Sequence, residues 1–356
     1  MRPGSGAELA CRYYDEVVGP LLAARRPGLR YAAGRLGSGS DVLGVDDAES
    51  RDHDWGLRLT VLVDADDVSD ISALLAAELP DSFAELPIRF ATSWDPTLTD
   101  KVEVSDPTSF ATSRLGVSPA RLDPSEEVDP LDWLRLTGQS VLEVTAGPVF
   151  IDTPGTITAI RDRLAWYPHD IWLYVVACAW QRLSQELPMV GRTAEAGDDL
   201  GSRVIAGRLC RDVIHLAFML ERTWPPYPKW LGTQLRTLPA GEVVTRALTV
   251  AMSADNCMTR QYGLVNAISA LHERQREVGL PTAEAATEQF WNRSYRTVPA
   301  AAISILTREI GDPAVRRLPI GVGSVEQWID NADVLSNPAR RAQLTDGWRN
   351  AIQSAP

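Results

Sequence analysis

The sequence predicts an α+β protein in which a small mixed-sheet domain precedes an all-helical domain. In roughly the first 110 residues, short apolar segments typical of strands alternate with segments at helical spacing. The composition changes after Ser105-Asp106-Pro107, and beyond about residue 130 the helical spacing dominates. We therefore expect a first domain over residues 1–115, a connector over 116–130 and a helical domain over 131–356.

The first domain is predicted to contain two helices and four short strands. The helix at 7–25 has apolar residues at helical spacing and ends before Pro27-Gly28. Alternation and β-branched residues predict the strands, and a one-sided apolar face predicts the second helix. In chain order the predicted elements are a helix at 7–25, strands at 29–36 and 57–63, a helix at 69–79, and strands at 88–91 and 102–104.

The connector and the helical domain follow from composition and spacing. Residues 117–130 contain three prolines and many acids, which favours an exposed connector. Amphipathic segments with apolar residues at helical spacing then follow one another as far as residue 295. They are predicted as helices at 171–187, 200–224, 243–252, 262–278 and 283–295.

Composition limits the classes of function. Hydrophobic residues make up 45% and charged residues 23% of the 356 residues, as in ordinary soluble proteins. The net charge of -12 disfavours nucleic acid as a partner, because such binding depends on Lys and Arg neutralising phosphates. Four widely spaced cysteines without a C-x-x-C pair predict free thiols. No apolar leader or membrane-length apolar run is visible, so a cytoplasmic protein without a membrane partner is expected.

The residues that point most directly to chemistry are a small-residue loop, residues 37–41, and two carboxylates that follow it. Asp52 and Asp54 stand two apart just before an apolar segment, and alternate residues of a strand point to one face. Two carboxylates on one face repel each other unless a cation lies between them. Carboxylate and phosphate oxygens are ligands that Mg²⁺ prefers. The pattern therefore predicts metal-assisted work on a nucleoside triphosphate.

A third acid and a phosphate cradle complete the predicted site. Glu103 is flanked by Val102 and Val104, and an acid facing inward from a short strand needs a metal or a cation beside it. Three other acids nearby remain alternatives, namely Asp95, Asp100 and Asp106. The N–H groups and hydroxyls of the loop, at Gly37, Ser38 and Ser40, are expected to bind the β and γ phosphates.

These motifs resemble the DNA-polymerase-β-like nucleotidyltransferase superfamily. Its signature is Gly-Ser on a strand-to-helix turn, then Asp-x-Asp, then one more acid on a later strand. Gly37-Ser38, Asp52-His53-Asp54 and Glu103 match that order, although the 13 residues between Ser38 and Asp52 make a long spacing. The resemblance implies that Asp52 and Asp54 bind the metal, and that Glu103 is the third metal ligand or the base that activates the acceptor.

The helical domain carries a second resemblance. Residues 166–238 resemble the helical domain of bacterial antibiotic-modifying nucleotidyltransferases, and residues 220–231 resemble an uncharacterised bacterial family with the same head motif. Lys229 is predicted to contact phosphate, while Tyr227 and Trp230 either stack on a base or fill the core. Arg208 either holds phosphate or pairs with Asp212, four residues further along the same helix.

Together these observations predict an enzyme that uses Mg²⁺ to move a nucleoside monophosphate, most simply AMP from ATP, onto a small-molecule acceptor. Two alternatives remain open at this stage. The chain could bind nucleotide as a regulator or partner protein without turnover, or it could modify a protein or RNA acceptor by the same chemistry. The sequence does not define the oligomeric state.

Overall fold

The computed structural model describes residues 4–47, 49–51, 55–92, 95–123, 125 and 128–353. Contacts divide the chain into two compact units. The first unit is Met1–Glu126 with Ser140–Ala165, and the second is Glu127–Gln139 with Trp166–Pro356. The fold is mixed α+β, with a small mixed sheet in the first unit and long helices in the second, which confirms the predicted fold class.

The regular elements are numbered in chain order. The helices are α1 Gly6–Tyr13, α2 Gly19–Arg25, α3 Val68–Glu78, α4 Pro107–Leu115, α5 Pro130–Leu134, α6 Gly138–Thr145, α7 Thr156–Arg163, α8 His169–Glu195, α9 Asp199–Leu220, α10 Pro228–Leu235, α11 Gly241–Ser253, α12 Cys257–Glu277, α13 Ala301–Glu309, α14 Pro313–Arg316, α15 Val325–Trp328, α16 Ala332–Ser336 and α17 Pro338–Gln353. The strands are β1 Ala32–Gly34, β2 Leu59–Leu62, β3 Ser82–Phe83, β4 Leu86–Pro87, β5 Arg89–Thr92, β6 Asp95–Asp100, β7 Val102–Ser105, β8 Val149–Asp152, β9 Glu288–Gln289 and β10 Arg296–Thr297.

The predicted helix at 7–25 forms as α1 and α2 joined by a π-helical turn, Tyr14–Val18. This continuous segment places Tyr13, Val18 and Leu22 in the core of the first unit. Ser5 begins it, since the Ser5 hydroxyl accepts the N–H of Glu8 and so satisfies a first-turn donor.

A four-stranded sheet forms the centre of the first unit. Its strand order is β7-β2-β1-β8, with β2 and β7 parallel and the other neighbours antiparallel. One face is apolar and packs on the helices, because alternate strand residues such as Ala33, Val61 and Val104 point towards α1 and α3. The opposite face is left for the more polar residues that stand between them.

The strand β8 lies beyond the predicted connector. It pairs with β1, and the Arg35 N–H donates to the Pro148 carbonyl at 3.0 Å. Residues 140–165 therefore belong with the first unit, whereas the sequence division placed them in the helical domain. Sequence periodicity missed β8 because four residues after a helix give too short a pattern to separate from the helical segments around them.

The second unit is built around four long helices, α8, α9, α11 and α12, that pack on one another. Asp198 and Asn256 begin α9 and α12 by accepting backbone N–H groups with their side chains. The helix predicted at 283–295 is wrong. That segment contains β9 and the turn of a hairpin that β10 completes; the Phe290 N–H bonds to the Tyr295 carbonyl, and Trp291 has φ +52°.

Within the part of the chain that the structure describes, no helix is both long enough and apolar enough to cross a membrane. The four cysteines are free thiols, with Cys178 and Cys210 buried. Burial raises the pKa of the Cys178 thiol to about 11 and that of the Cys210 thiol to about 12, so both are protonated at neutral pH.

Candidate functional site

A cavity of about 300 Å³ lies in the first unit, on the sheet face opposite the apolar core. It is formed by the end of β1, the loop that follows, the strands β2 and β7, and helix α4. The described lining residues are Arg35, Leu36, Gly37, Ser38, Arg58, Leu59, Thr60, Thr99, Asp100, Lys101, Glu103 and Arg114.

Strand register explains why these side chains meet. Gly34 of β1 pairs with Thr60 of β2, and Thr60 pairs with Glu103 of β7. Residues directly opposite one another on neighbouring strands share a face, as do residues two apart along one strand. Glu103 therefore points to the same face as Thr60. Gly34 has no side chain, and a Cβ there would lie 2.5 Å from the Pro148 carbonyl oxygen.

A buried ion pair between Arg35 and Asp41 fixes the loop that follows β1. The guanidinium of Arg35 binds both carboxylate oxygens of Asp41, with Nε–Oδ2 at 2.7 Å and Nη2–Oδ1 at 2.9 Å. The same guanidinium donates to the carbonyls of Leu36 and Ser38. Both charged side chains are more than nine-tenths buried. The loop is thus fixed by one cation that satisfies four acceptor atoms.

Glycine is required at the centre of this loop. Gly39 has φ +144°, and a Cβ there would lie 2.4 Å from Arg35 Nη2 and 2.3 Å from Asp41 Oδ1. The Gly37 N–H donates to the Glu143 carbonyl at 2.8 Å, so this N–H is already used within the fold. Phosphate binding by the loop stays a prediction. Gly37 is buried, whereas Ser38 is exposed at the cavity wall. In the described chain the Ser38 hydroxyl makes no hydrogen bond.

Glu103 is bound by a cation. Arg114, from helix α4, donates to both of its carboxylate oxygens at 2.9 and 2.6 Å. The guanidinium carbon of Arg114 also lies 4.0 Å from the centre of the Phe110 ring. The Glu103 side chain keeps 42% of its surface exposed, so the pair stands at the cavity wall and not in the core.

The alternative acids near Glu103 have structural partners. Asp100 accepts from Arg89 Nε at 2.9 Å. Asp106 begins helix α4 by accepting the Ser109 N–H at 2.9 Å. Burial would raise the pKa of Asp106, but hydrogen bonds from Ser109 and Thr108 outweigh it and lower that pKa. Asp95 is the third alternative, and its side chain falls outside the described part of the structure.

The cavity is locally basic in an acidic protein. Its described lining contains four basic residues, Arg35, Arg58, Lys101 and Arg114, and two acids, Asp100 and Glu103. Lys101 Nζ and the Arg58 guanidinium lie 5.4 and 5.6 Å from the centre of the Phe90 ring. That ring lies beside two cations that directly precede the neighbouring strands β2 and β7. The arrangement suits an anion.

Of the predicted site residues, the structure brings together Gly37, Ser38 and Glu103. Ser40 is not among the described lining residues of the cavity; its carbonyl accepts the Val45 N–H. Asp52 and Asp54 lie outside the described residues, as does His53. Their role as metal ligands therefore stays a prediction. Among the described residues, no group of three or more His, Cys, Asp or Glu could hold a metal ion.

Arg208 and Lys229 belong to the second unit. Arg208 forms an ion pair with Glu186 of α8, and the expected partner Asp212 instead lies 2.7 Å from Arg182 Nε. Lys229 is exposed on α10, with its Nζ 4.9 Å from the centre of the Trp230 ring. It lines a separate cavity in that unit.

Sequence reasoning missed all four described cations of the first cavity, Arg35 included. Arg58 stands two residues before Thr60, and Lys101 two residues before Glu103. Strand periodicity therefore contained the signal for both, since residues two apart share a face. Arg114 gave no such signal, because only the packing of α4 against β7 places its guanidinium at Glu103.

Comparison with known proteins found a partial match to one family model and a distant likeness to a solved structure. Residues 133–231 match the family described as a domain of unknown function, DUF4037, which covers less than a third of the chain. The search of curated proteins found no significant match. A nucleotidyltransferase-like protein from Exiguobacterium sibiricum is 11% identical over 76% of each chain, with a TM-score of 0.33. A TM-score this low does not establish a shared fold, so the residues of the site carry the functional argument.

Proposed function

We propose that this protein transfers a nucleoside monophosphate, most simply AMP from ATP, to a nucleophile on a small-molecule acceptor with the help of Mg²⁺. One observation supports this most directly. Among the described residues, one cavity is lined by the Gly37-Ser38 loop, by Glu103 and by more basic than acidic side chains, in a chain of net charge -12. Such a local surplus of positive charge favours a polyanionic ligand such as a triphosphate.

The described residues have separable roles in this proposal. Lys101 and Arg58 attract the phosphates from the sheet, and the exposed Ser38 hydroxyl donates to a phosphate oxygen. Arg35 is already bonded to Asp41 and to two carbonyls, so it keeps the loop in place and is not itself a ligand. A loop that is already ordered loses little conformational entropy when the ligand binds.

The reaction is an in-line displacement at the α-phosphorus. A bond forms between the acceptor oxygen and this phosphorus, the bond to the bridging oxygen breaks, and pyrophosphate leaves with that electron pair. The acceptor hydroxyl loses its proton to a base. Glu103 is the candidate base in this proposal, in which the Arg114 guanidinium shifts to the ligand and releases one of the carboxylate oxygens.

A magnesium ion would neutralise charge that develops on the phosphates during this displacement. The described acids alone do not fit such an ion, because Arg114 binds both oxygens of Glu103 and Arg89 binds Asp100. The metal assignment rests on Asp52 and Asp54 and on the family resemblance.

The experiment is an assay of pyrophosphate release from ATP and Mg²⁺ with a panel of aminoglycosides and other small polyols, using wild type and Asp54→Asn. Release should fall by ~1,000-fold in Asp54→Asn, since loss of a metal ligand removes several kcal/mol of stabilisation from the transition state. Asp66→Asn is the matched control, because Asp66 is an exposed acid of the same unit. Equal release from wild type and Asp54→Asn would refute the metal assignment.

A second function, nucleotide binding without turnover, is favoured by the bidentate contact of Arg114 with Glu103. In that case calorimetry would detect binding of ATP while no pyrophosphate appears with any acceptor. The remaining alternative is that the acceptor is a protein or an RNA, and it is tested by adding the enzyme and labelled ATP to cell extract. Label that becomes acid-precipitable and sensitive to protease or ribonuclease would identify a protein or an RNA acceptor.

A further inference from the structure

We infer that the second unit contains a binding site of its own for a small molecule that joins an anionic group to an apolar body. The site is the second cavity, defined as the space of about 660 Å³ between α9, α10 and α11. Its size falls within the range of roughly 300 to 1,000 Å³ that is usual for small-molecule sites. This inference does not depend on the nucleotide proposal, which concerns the first unit.

The floor of the second cavity is apolar. Cys210 and Ile214 reach it from α9, Leu235 from α10 and Leu248 from α11, while Met252 of α11 is an exposed apolar residue of the lining. Burial keeps the Cys210 thiol protonated, so it adds no charge there. A floor of this kind favours the apolar part of a ligand, since each buried CH₂ group contributes about 0.8 kcal/mol.

Two cations line the same cavity, Lys229 on α10 and Arg236 directly after the end of that helix. No acid is among the described lining residues, and neither cation forms an ion pair within the described chain. In a protein of net charge -12, two cations that line one cavity without a carboxylate are a specific local feature. Charge complementarity therefore favours a carboxylate, sulfonate or phosphate group on the ligand.

A buried hydroxyl provides an independent observation. Thr245 lines the cavity, and its Oγ1 is enclosed without a hydrogen-bond partner in the described chain. Enclosed polar atoms are nearly always bonded in folded proteins. This oxygen has almost no accessible surface, so the Thr245 side chain must turn before a ligand atom or a water molecule can bond to it. The cavity thus combines an apolar floor, two cations and one polar atom that lacks a partner.

Two glycines offer a matched test of occupancy. Gly232 lies in α10 at the cavity, and Gly207 lies in α9 outside its lining. A Cβ added at either position would meet no atom within 4 Å. Gly232→Leu should therefore fill the mouth of the cavity without a clash, while Gly207→Leu adds the same side chain elsewhere on the same unit.

The experiment titrates the full chain with the fluorescent anion 8-anilinonaphthalene-1-sulfonate and with N-phenyl-1-naphthylamine, which lacks the sulfonate. We expect one sulfonate probe per chain, binding about tenfold weaker in Gly232→Leu and unchanged in Gly207→Leu. The double variant Lys229→Gln with Arg236→Gln should weaken the sulfonate probe by about tenfold and leave the neutral probe unchanged. Arg246→Gln is the charge control, since Arg246 lies on α11 outside the lining.

Thermal unfolding of each variant distinguishes loss of the site from loss of the fold. Equal binding of the sulfonate probe by wild type and a folded Gly232→Leu would overturn the inference. So would equal weakening of both probes in the double variant, because the cations would then contribute nothing specific to the anion. Displacement of the probe by decanoate or by decyl phosphate, tested separately, identifies which anionic group the site prefers.

Discussion

Two glutamates, Glu103 of the first unit and Glu326 of the second, differ in how far they are exposed to solvent. The Glu103 side chain of the first unit stands at a cavity wall with 42% of its surface exposed, and its partner is the long side chain of Arg114. Glu326 of the second unit is 5% exposed and accepts the backbone N–H of Gly138. The first acid can exchange its partner for a ligand, whereas the second connects two segments of the chain.

Three buried groups of the second unit, Glu326, Asp212 and His215, have shifted pKa values. Burial raises the pKa of Glu326 to about 7 and that of Asp212 to about 6, although Arg211 lies near both carboxyls and lowers both values. Burial lowers the pKa of His215 to about 3. All three groups are in the interior of the second unit, so here perturbed titration accompanies structural contacts and does not by itself locate a site.

The largest expected effect tests whether the loop of the first cavity depends on its buried ion pair. Arg35→Ala leaves the buried carboxylate of Asp41 without its cation and should lower the free energy of unfolding of the first unit by about 3–5 kcal/mol. Arg89→Ala removes the half-exposed pair with Asp100 and should cost less than about 1 kcal/mol. Urea denaturation measures both. Similar losses would contradict the distinction between buried and exposed pairs.

The next prediction concerns the contact that Glu326 makes. A Cβ on Gly138 would lie 2.0 Å from the Pro225 carbonyl oxygen and 2.7 Å from its nitrogen. Backbone atoms cannot yield as a side chain can, so Gly138→Ala should lower the free energy of unfolding of the second unit by about 3 kcal/mol. Gly207→Ala, at an open helical position, should raise it by about 0.5–1 kcal/mol. Thermal denaturation of the two variants provides the test.

A third prediction uses pH. The pKa of Glu326 is raised from 4.5 to about 7 on folding, so the folded state binds the proton more tightly. Its stabilising contribution is complete below pH 4.5 and is lost as the pH rises through 7. Glu326→Gln retains an acceptor for the Gly138 N–H and should match wild type near pH 4.5. At pH 8 the variant should be more stable by on the order of 3 kcal/mol.

The measurement is the difference in free energy of unfolding between wild type and Glu326→Gln at pH 4.5, 6 and 8. His215 acts in the opposite sense, since its lowered pKa costs stability as the pH falls below 6.5. The difference between the two proteins removes that contribution because both contain His215. A difference that does not change with pH would contradict the assigned role of Glu326.

The smallest expected effect sharpens the assignment of the first cavity as an anion site. Lys101→Gln removes one wall cation and should weaken binding of ATP by about fivefold, with a smaller effect at high salt. Arg30→Gln makes the same change of charge at an exposed residue outside the cavity lining and should leave binding unchanged. Calorimetry with ATP measures both affinities. Equal weakening would mean that only net charge matters.

Local pattern predicted much of the first unit, but not what depends on packing. The strand predicted at 57–63 forms over Leu59–Leu62, and the helix predicted at 69–79 forms over Val68–Glu78. Strand periodicity also placed Glu103 on the cavity face. The Arg35–Asp41 pair and the bond from Gly37 to Glu143 depend on how distant segments fold together. Short elements such as β8 and the hairpin at β9 and β10 have too few residues for a reliable period.

The chain contains two lysines, and each one lines a cavity: Lys101 in the first unit and Lys229 in the second. Side-chain primary amines are thus confined to the two candidate sites. An acylating reagent that reacts with amines would label each site on a different proteolytic peptide, and mass spectrometry would read the occupancy of both in a single digest. ATP should shield one peptide, and the sulfonate probe should shield the other.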